Sequence, residues 1–275
     1  LSPSTMTPPP ILSIAGSDSS CGAGVQADLK AITALGGYAL NALTSVVSET
    51  PGNVSLVRNL DGDIIADQIR ILFAGFPIAA AKSGMLGGRE QVQVVVSAWQ
   101  KWAPKHTPLV VDPVMVATGG GKLLEDEAVL SLIEDWLPLA TVITPNMDEA
   151  AVLWGRELST KDDLENCAVD LAKRFGTAML VKGGHLTDLP NAPDVLCTRD
   201  GKLSWYDAPR TPGVKTHGTG CTYSAAIATC LGQGMAVPAA VARAKTYVSK
   251  AISAHFVWET VASGTVHALN HQQNN

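Results

Sequence analysis

A glycine-punctuated turn runs into a helix of small residues at Lys215-Thr216-His217-Gly218-Thr219-Gly220-Cys221-Thr222-Tyr223-Ser224-Ala225-Ala226. Glycine tolerates positive φ and lets the backbone approach a ligand closely. A helix that begins at about Gly218 directs its free N–H groups and the positive end of its dipole at whatever lies in front of it. This stretch therefore predicts an anion-binding site.

Cys221 falls in the first turn of that predicted helix. The field at a helix N-terminus lowers the pKa of a thiol and favours the thiolate, which makes Cys221 a candidate base beside the anion site. The alternative is a glycine turn before an ordinary core helix, with Cys221 as a small buried hydrophobic residue. From this stretch alone both interpretations stay open, because short motifs also match by chance.

The composition is that of a globular protein. The chain has 275 residues, of which 46% are apolar and 16% charged, enough to bury a sizeable core and too apolar for disorder. The net charge of −5, with no basic stripe, argues against nucleic acid as a partner, and no apolar run reaches the roughly 18 residues of a membrane span. We predict a single domain over residues 11–260, with a final helix from Pro238 to about Trp258 and disordered tails at 1–10 and 261–275.

The five cysteines are scattered along the chain, at positions 21, 167, 197, 221 and 230. Their odd number and the lack of a CxxC spacing argue against a disulfide framework or a zinc site. This usage fits a reducing compartment, so we expect a cytoplasmic protein.

Strand-like apolar runs alternate with segments of helical periodicity. The first unit is a strand at Ile11–Ala15, a glycine and hydroxyl loop at Gly16–Gly24, and a helix at Val25–Leu35. The loop lacks the GxGxxG spacing, and we assign it to a small polar substrate, with a solvated loop as the alternative. Two further predicted strands, Tyr38–Ser48 and Val54–Leu60, would form a small flap. The alternation predicts an α/β fold with a mainly parallel sheet covered on both faces.

Unusual polar and glycine motifs recur where the predicted strands end. They are Gly16 to Gly24, Gly84-Met85, Asp112 to Met115, Asn146 to Glu149, and Lys182 to His185. Ligands of open α/β sheets bind at the carboxyl ends of the strands. We therefore expect these motifs to meet the helix start at Gly218–Cys221 in one site.

Two of these motifs predict phosphate chemistry. Asn146 and Glu149 lie three residues apart at a helix start, hence on one face, and oxygen ligands there suit Mg²⁺. The alternative is a capping box, and both interpretations can hold together. Lys182, beside two glycines, could neutralise a phosphate or could be a solvated lysine. Magnesium, lysine, anion hole and base together are the equipment of phosphoryl transfer.

Six segments resemble the hydroxymethylpyrimidine/phosphomethylpyrimidine kinases, thiamin-pathway enzymes of the ribokinase superfamily. They are Ala15-Gly16-Ser17-Asp18, Gly22-Ala23-Gly24-Val25-Gln26-Ala27-Asp28-Leu29-Lys30, Lys82-Ser83-Gly84-Met85-Leu86, Val111-Asp112-Pro113-Val114-Met115, Ile143-Thr144-Pro145-Asn146 and Thr216-His217-Gly218-Thr219-Gly220-Cys221. The resemblance runs from about Ile11 to Trp258. It implies a ribokinase-like three-layer αβα sandwich, ATP and Mg²⁺, and phosphorylation of 4-amino-5-hydroxymethyl-2-methylpyrimidine and then of its monophosphate. It also suggests a homodimer with the flap strands near the interface.

The resemblance further implies roles for individual residues. Cys221 stands where most ribokinase relatives carry an aspartate base, and this subfamily has cysteine there, so Cys221 is the expected base. On the phosphate side, Gly218 and Gly220 form the catalytic anion hole, Lys182 is a further catalytic residue, and Glu149 and Asp112 bind Mg²⁺. The residues expected to bind the nucleotide are Asn146, Lys182, Thr216, Gly218, Thr219 and Gly220. The pyrimidine pocket comprises Gly16, Asp28, Glu49, Met85 and Val114. On sequence logic alone Asp28 needs no ligand, because a carboxylate near a helix N-terminus is favourable by itself.

Glu49 departs from the family pattern, which usually has glutamine in this flap strand. An amide both donates and accepts hydrogen bonds, whereas an ionised carboxylate only accepts. The pocket would therefore bind a protonated ring, Glu49 would itself be protonated, or the substrate would differ; a solvent-facing Glu49 is a further alternative. A pyridoxal- or pyridoxine-type kinase on the same scaffold is the second candidate function. A non-catalytic ligand-binding homologue is the third.

Overall fold

The computed structural model of the chain describes residues 7–115, 125–186, 189–214, 216–261 and 264–272. Its strands are β1 (Pro10–Asp18), β2 (Tyr38–Thr50), β3 (Asn53–Asn59), β4 (Ala80–Ser83), β5 (Leu109–Val111), β6 (Val142–Ile143), β7 (Ala178–Lys182), β8 (Asp194–Cys197), β9 (Leu203–Tyr206), β10 (Thr216–His217), β11 (Phe256–Thr260) and β12 (Gly264–Ala268). Its helices are α1 (Gly24–Ala34), α2 (Gly62–Gly75), α3 (Arg89–Trp102), α4 (Asp126–Ser131), α5 (Met147–Trp154), α6 (Lys161–Phe175), α7 (Thr219–Gly232) and α8 (Val237–Ser253). A π turn at Leu132–Trp136 and a 3₁₀ turn at Leu137–Leu139 extend α4.

Nine strands form one sheet in the order β3-β2-β1-β4-β5-β6-β7-β8-β9. The six strands from β2 to β7 in this order are parallel, whereas β3 at one edge and β8 and β9 at the other pair antiparallel. The mainly parallel sheet is as predicted, and β2 and β3 form the predicted pair. Since parallel strands end at the same edge of a sheet, the polar motifs after β1, β4, β5, β6 and β7 are brought together.

The sheet is covered on both faces. Alternate residues of a strand point to opposite faces. Ile11 therefore belongs to a core that includes residues of α1, α7 and α8, whereas Leu12 belongs to a core that includes residues of the five helices from α2 to α6. Both side chains are fully buried. The two cores on either side of one sheet make the predicted three layers.

Local signals explain why the element boundaries fall where they do. The Thr160 hydroxyl caps α6 by accepting a hydrogen bond from the Asp163 amide, and the Asp163 carboxylate accepts one from the Thr160 amide. Gly176 ends the same helix with φ of 66°, in the left-handed region where glycine is unstrained. These two local signals account for both ends of α6.

The C-terminal part of the chain differs from the prediction. Helix α8 ends at Ser253, and β11 and β12 follow it as an antiparallel hairpin. Strand β12 also pairs in parallel with β10, which gives a small sheet in the order β10-β12-β11. The predicted disordered tail at 261–275 is therefore wrong over 264–272, while 262–263 and 273–275 lie outside the described residues. The other predicted tail, at 1–10, is wrong at Pro10, where β1 begins, and residues 1–6 lie outside the described part.

Within the described ranges, no helix combines the length and the apolar character that crossing a membrane requires. The cysteines at positions 21, 167, 197, 221 and 230 are all free thiols. Three of them, Cys167, Cys197 and Cys230, are buried as small core side chains, whereas Cys21 and Cys221 are partly exposed.

Candidate active site

The start of α7 lies against two charged side chains from the ends of β5 and β7, the strands on either side of β6. A Cβ built at Gly220 would lie 3.2 Å from Nζ of Lys182 and 3.3 Å from Oδ2 of Asp112. A side chain here would therefore press on both charged groups. The structure thus brings together the helix start, the lysine at the end of β7 and the carboxylate after β5.

Lys182 and Asp112 form an ion pair of 3.0 Å. Asp112 is buried, and its carboxylate also lies 3.4 Å from the Thr144 hydroxyl and 3.5 Å from the Ser224 hydroxyl. Burial lowers the pKa of Lys182, but the negative charges of Asp112 and Glu149 more than offset this and raise it. Lys182 is therefore a cation at neutral pH, held in place rather than free in solvent.

Gly218 precedes α7 with φ of 82°, a left-handed conformation that favours glycine. A Cβ on Gly218 would overlap the carbonyl oxygen of Gly22, because the turn rests directly on the glycine loop that follows β1. The hydroxyls of Thr216 and Thr219 lie 2.8 Å apart across the turn. The prediction that a helix begins at about Gly218 is confirmed.

Cys221 is partly exposed in the first turn of α7, as the sequence predicts, but its thiol is not activated. Burial raises the pKa of Cys221 to about 11; the charge of Lys82 opposes this rise, and the charges of Asp28 and Asp112 add to it. The expectation of a lowered thiol pKa is wrong for this structure. The cause is burial of the thiol, to which the carboxylates of Asp28 and Asp112 add.

Asn146 and Glu149 form the capping box of α5. The Asn146 side chain accepts a hydrogen bond of 2.9 Å from the Glu149 amide, and the Glu149 carboxylate accepts one of 2.9 Å from the Asn146 amide. Burial raises the pKa of Glu149 to about 7; the charge of Lys182 counteracts this rise and that of Asp112 reinforces it. Two buried carboxylates thus lie within electrostatic reach of one lysine, and the set carries an excess negative charge when Glu149 is ionised.

Gly16 and Met85 are in direct contact on the other side of the site. The Gly16 amide donates a hydrogen bond of 3.0 Å to the Met85 carbonyl, which also accepts one of 2.9 Å from the Thr44 hydroxyl. A Cβ on Gly16 would lie 2.8 Å from Cε of Met85 and 2.5 Å from the hydroxyl of Ser45. Ser45 is fully buried, and its hydroxyl has no hydrogen-bond partner among the described residues.

Val114 follows β5 with φ of 34°, a strained conformation for a β-branched residue. Such strain costs about 1–3 kcal/mol and is concentrated at functional sites. Both Val114 and Met85 are partly exposed and so are accessible to a ligand.

Glu49, Asp18 and His217 form a second polar cluster where the flap meets the turn before α7. The His217 Nε2 atom lies 3.2 Å from the Asp18 carboxylate and 3.8 Å from that of Glu49. Burial, followed by the charge of Asp18, raises the pKa of Glu49, with His217 opposing the rise. The hydrogen bond to Asp18 raises the pKa of His217, and Glu49 adds to this effect. Glu49 and His217 therefore both bind protons more readily beside Asp18, and the charge of each affects the pKa of the other.

The sequence interpretation did not single out Asp18 and His217. Asp18 organises the glycine loop, since its carboxylate accepts hydrogen bonds from the amides of Ser20, Gly22 and Ala23 at 2.6, 3.1 and 2.7 Å. These bonds and that to His217 together overcome burial and lower the pKa of Asp18. Both residues lie beside glycines in the motifs at 16–24 and 216–221, and this position is the sequence feature that could have marked them as site residues.

Asp28 does not open into the pocket. Its carboxylate is fully buried and forms hydrogen bonds of 2.8 and 2.9 Å with the Lys82 ammonium and of 2.6 Å with the Ser13 hydroxyl. The prediction that Asp28 contacts the substrate directly is contradicted by this burial. The reason is that the side chain at this point of α1 faces the sheet, where Lys82 on β4 supplies the opposite charge.

A family model described as phosphomethylpyrimidine kinase matches residues 18–267. The chain belongs to this family. A hydroxymethylpyrimidine/phosphomethylpyrimidine kinase of Rhizobium meliloti is 41% identical over 244 residues, covering 88% of this chain and 90% of that protein. A thiamine biosynthesis multifunctional protein of Corynebacterium efficiens is 40% identical over 251 residues, and the chain spans 33% of its length.

Solved structures of related kinases share the fold. The ADP complex of Bacillus subtilis pyridoxal kinase is 32% identical, with a TM-score of 0.84 over 96% of this chain and 98% of that one. A phosphomethylpyrimidine kinase from Clostridium difficile is 37% identical, with a TM-score of 0.78 over 89% and 99%. The predicted family, its ribokinase-like α/β fold and its class as a phosphotransferase are confirmed for this phosphomethylpyrimidine kinase family member.

Proposed function

We propose that this protein transfers the γ-phosphoryl group of ATP to the hydroxymethyl group of 4-amino-5-hydroxymethyl-2-methylpyrimidine, and then phosphorylates the monophosphate. The observation that carries the proposal is the meeting of Lys182, Asp112 and Gly220 at the start of α7, one residue before Cys221. Phosphoryl transfer depends mainly on positioning and on stabilising negative charge, and this arrangement offers a fixed cation and free amides.

The nucleotide phosphates would bind at the start of α7. The residues proposed to contact them are Thr216, Gly218, Thr219, Gly220, Asn146 and Lys182. The backbone amides of the helix start supply donors without a net charge, and Lys182 supplies the charge. The similar pyridoxal kinase was solved with ADP, which supports a nucleotide site in this fold.

Asp112 and Glu149 would hold Mg²⁺. Both carboxylates are buried, and each is close enough to Lys182 for its charge to raise the lysine pKa. Carboxylate oxygens are the ligands that Mg²⁺ prefers, and the excess negative charge of the set fits a divalent cation. When bound, Mg²⁺ would neutralise developing charge on the phosphates.

Cys221 would take the proton of the substrate hydroxyl while the hydroxyl oxygen attacks the γ-phosphorus and ADP leaves. The thiolate must form first, and a pKa of about 11 keeps that form scarce in the unliganded protein. Asp112 is one cause of the raised pKa of Cys221, so neutralisation of Asp112 by a cation would lower that pKa. Base activation would then accompany loading of the site.

The pyrimidine would lie between Gly16, Met85 and Val114, with Glu49 at its polar edge. The raised pKa of Glu49 extends to higher pH the range in which its side chain is a protonated acid, and that acid donates and accepts like the amide of glutamine. This supports one of the three interpretations of Glu49 given above, that of a protonated side chain. Asp28 makes no direct contact with the pyrimidine in this proposal.

A kinase of pyridoxal is the second candidate. Its support is the similarity of 32% identity and TM-score 0.84 to the Bacillus subtilis pyridoxal kinase, over nearly the whole of both chains. Glu49 is the residue at which the two candidates would differ, since a carboxylate and an amide recognise different ring edges.

We also propose a homodimer that pairs the flap strands of two copies. All seven residues of β3 are exposed, among them Val54, Leu56 and Val57, and Val46 on β2 is exposed beside them. An exposed apolar edge of this kind marks an interaction surface. Sedimentation of the wild-type protein and of a Leu56→Glu variant tests it: a dimer that becomes a monomer supports the proposal, and a wild-type monomer contradicts it.

The test of the main proposal is ADP release from Mg-ATP with the purified protein. The substrates compared are the hydroxymethylpyrimidine, its monophosphate and pyridoxal, at matched concentrations. Turnover of both pyrimidines is the expected result. Turnover of pyridoxal alone would favour the second candidate, and no turnover of any of the three would contradict both.

A further inference from the structure

The segment after α8 returns to the start of α7. Its strand β12 pairs in parallel with β10, so that Thr216 lies opposite His267 and His217 lies opposite Ala268. This ladder ends one residue before Gly218, the left-handed residue that precedes α7. We call residues 264–272 the C-terminal segment. Its strand β12 pairs with β10, the strand that leads into the turn to which we assign the anion hole.

The C-terminal segment is anchored beyond the ladder by His271. This side chain is buried, and its Nε2 atom lies 2.9 Å from the hydroxyl of Thr222, which has no exposed surface. The His271 carbonyl accepts a hydrogen bond of 3.2 Å from the hydroxyl of Tyr247 on α8. His271 thus connects the first turn of α7 to α8. Its contact in α7, Thr222, is the residue that follows Cys221.

The charge state of His271 keeps this contact intact. Burial, with the nearby charge of Lys30, lowers the pKa of His271 to about 4. The ring is therefore neutral over the whole physiological range, and a neutral imidazole has one donor and one acceptor nitrogen. A cationic ring would be unfavourable in so buried a position, and the neutral ring can keep its hydrogen bond to Thr222.

We propose that the C-terminal segment positions the start of α7 for phosphate binding, with His271 as a positioning residue that acts through Thr222. The inference rests on the proposed role of this helix start in binding nucleotide phosphates. An anion hole made of backbone amides stabilises charge only if the amides are held in place beforehand. The β10–β12 ladder holds the turn from one side, and the His271–Thr222 bond holds the first helical turn from the other.

The test compares the wild-type protein with His271→Ala, His271→Asn and Thr222→Val. Thr265→Val is the matched control, because the Thr265 hydroxyl lies 3.1 Å from the Glu259 carboxylate at the exposed far end of the same hairpin. Three quantities are measured for each: hydrogen exchange of the peptide that covers the start of α7, the dissociation constant for ADP, and the midpoint of thermal unfolding.

We expect His271→Ala and Thr222→Val to speed exchange at the start of α7 and to weaken ADP binding about tenfold, the effect of one buried hydrogen bond. His271→Asn, which keeps a polar group, should recover part of the affinity, and Thr265→Val should match the wild type. Thr222→Val preserves side-chain shape and so remains informative if His271→Ala fails to fold.

Unchanged exchange and unchanged ADP affinity, with only a lower unfolding midpoint, would overturn the proposal and leave His271 a purely structural residue. A wild-type protein that does not bind ADP would instead contradict the proposed function. In that case faster exchange in His271→Ala and not in Thr265→Val would still support positioning by the C-terminal segment, and equal exchange would overturn it.

Discussion

Asp28 and Lys82 are joined by two hydrogen bonds of 2.8 and 2.9 Å, and neither side chain has any exposed surface. A Cβ at Gly84 would lie only 2.8 Å from the Lys82 ammonium, so the ion pair sits directly beneath the backbone that follows β4. The pKa of Cys221 is raised overall. The positive charge of Lys82 opposes this rise, whereas the negative charge of Asp28 adds to it. A core ion pair therefore lies within electrostatic reach of the proposed base.

Breaking this ion pair should strongly destabilise the protein. Asp28→Asn and Lys82→Met should each lower the free energy of unfolding by about 3–5 kcal/mol, because the charge that remains is buried without its partner. The double variant Asp28→Leu/Lys82→Met should lose less than the sum of the two. Urea unfolding measures all three.

The Lys245–Asp194 pair is the matched control for that prediction. It is also buried, with a distance of 2.7 Å, but is formed between α8 and β8. Lys245→Met should destabilise by a similar amount without changing the reactivity of Cys221. The opposite result would be an Asp28→Asn variant with wild-type stability and a KM for the pyrimidine that rises tenfold or more. It would mean that Asp28 contacts the substrate.

The thiol of Cys221 should react slowly with iodoacetamide at neutral pH, because burial raises its pKa to about 11. The rate should increase with pH up to that value. The measurement uses a Cys21→Ser background, since Cys21 is the other partly exposed cysteine. Lys82→Met should slow the reaction further, as it removes the cation that favours the thiolate. Rapid alkylation with a midpoint below neutral would contradict the raised pKa.

Cys221→Ala should reduce turnover by about 10²–10⁴-fold, the usual contribution of a general base. The affinity for ADP should stay close to that of the wild type, because the amides at the start of α7 are unchanged. Calorimetric titration with ADP provides this second readout. Near wild-type turnover would remove Cys221 as the base.

The parts of the fold that follow local rules were predictable from the sequence. The helix at Lys161–Phe175 has a threonine cap and a terminal glycine, and both occur in the structure. Asn146 and Glu149 form the capping box that their spacing predicts. Gly218 adopts the positive φ that its motif predicts. In each case the deciding interaction joins residues close together in the chain.

The parts that depend on distant contacts were not predictable. Strand β12 is ordered by β10, which lies about 50 residues earlier, and no local signal in 264–272 marks this pairing. The orientation of Asp28 is decided by Lys82, and the thiol pKa of Cys221 by burial together with charges from three other elements. Sequence spacing placed these residues near one site, but only packing determined which side chains are available to a ligand.

Lys182→Met should reduce kcat by about 10²–10³-fold, the effect of removing one group that stabilises transition-state charge. It should also weaken ATP binding, because Asp112 and Glu149 lose the cation between them. Lys202→Met is the control: Lys202 pairs with Asp200 at 2.7 Å and is 80% exposed in the turn between β8 and β9. This turn follows Cys197, which pairs with Met179, at the opposite end of β7 from Lys182. Steady-state kinetics with varied ATP separates kcat from KM. Equal kinetics in the two variants would exclude Lys182 from the phosphate site.

Glu49 should make pyrimidine binding depend on pH. Burial and the charge of Asp18 raise its pKa, with His217 opposing; the protonated acid donates and accepts, whereas the carboxylate formed at higher pH only accepts. The KM for the pyrimidine should therefore rise by about tenfold as pH increases through the pKa of Glu49, the effect of one lost hydrogen bond.

Glu49→Gln should abolish that rise, because an amide keeps its donor at every pH. His217 titrates beside Glu49 and remains in the variant, so a pH dependence that persists unchanged would belong to His217. KM is measured between about pH 5 and pH 9, the range that also covers histidine titration. Glu127→Gln, at the exposed ion pair with Arg89, serves as the control. A KM that instead falls with rising pH would mean that the ionised carboxylate binds the ring, and would contradict the proposed protonated Glu49.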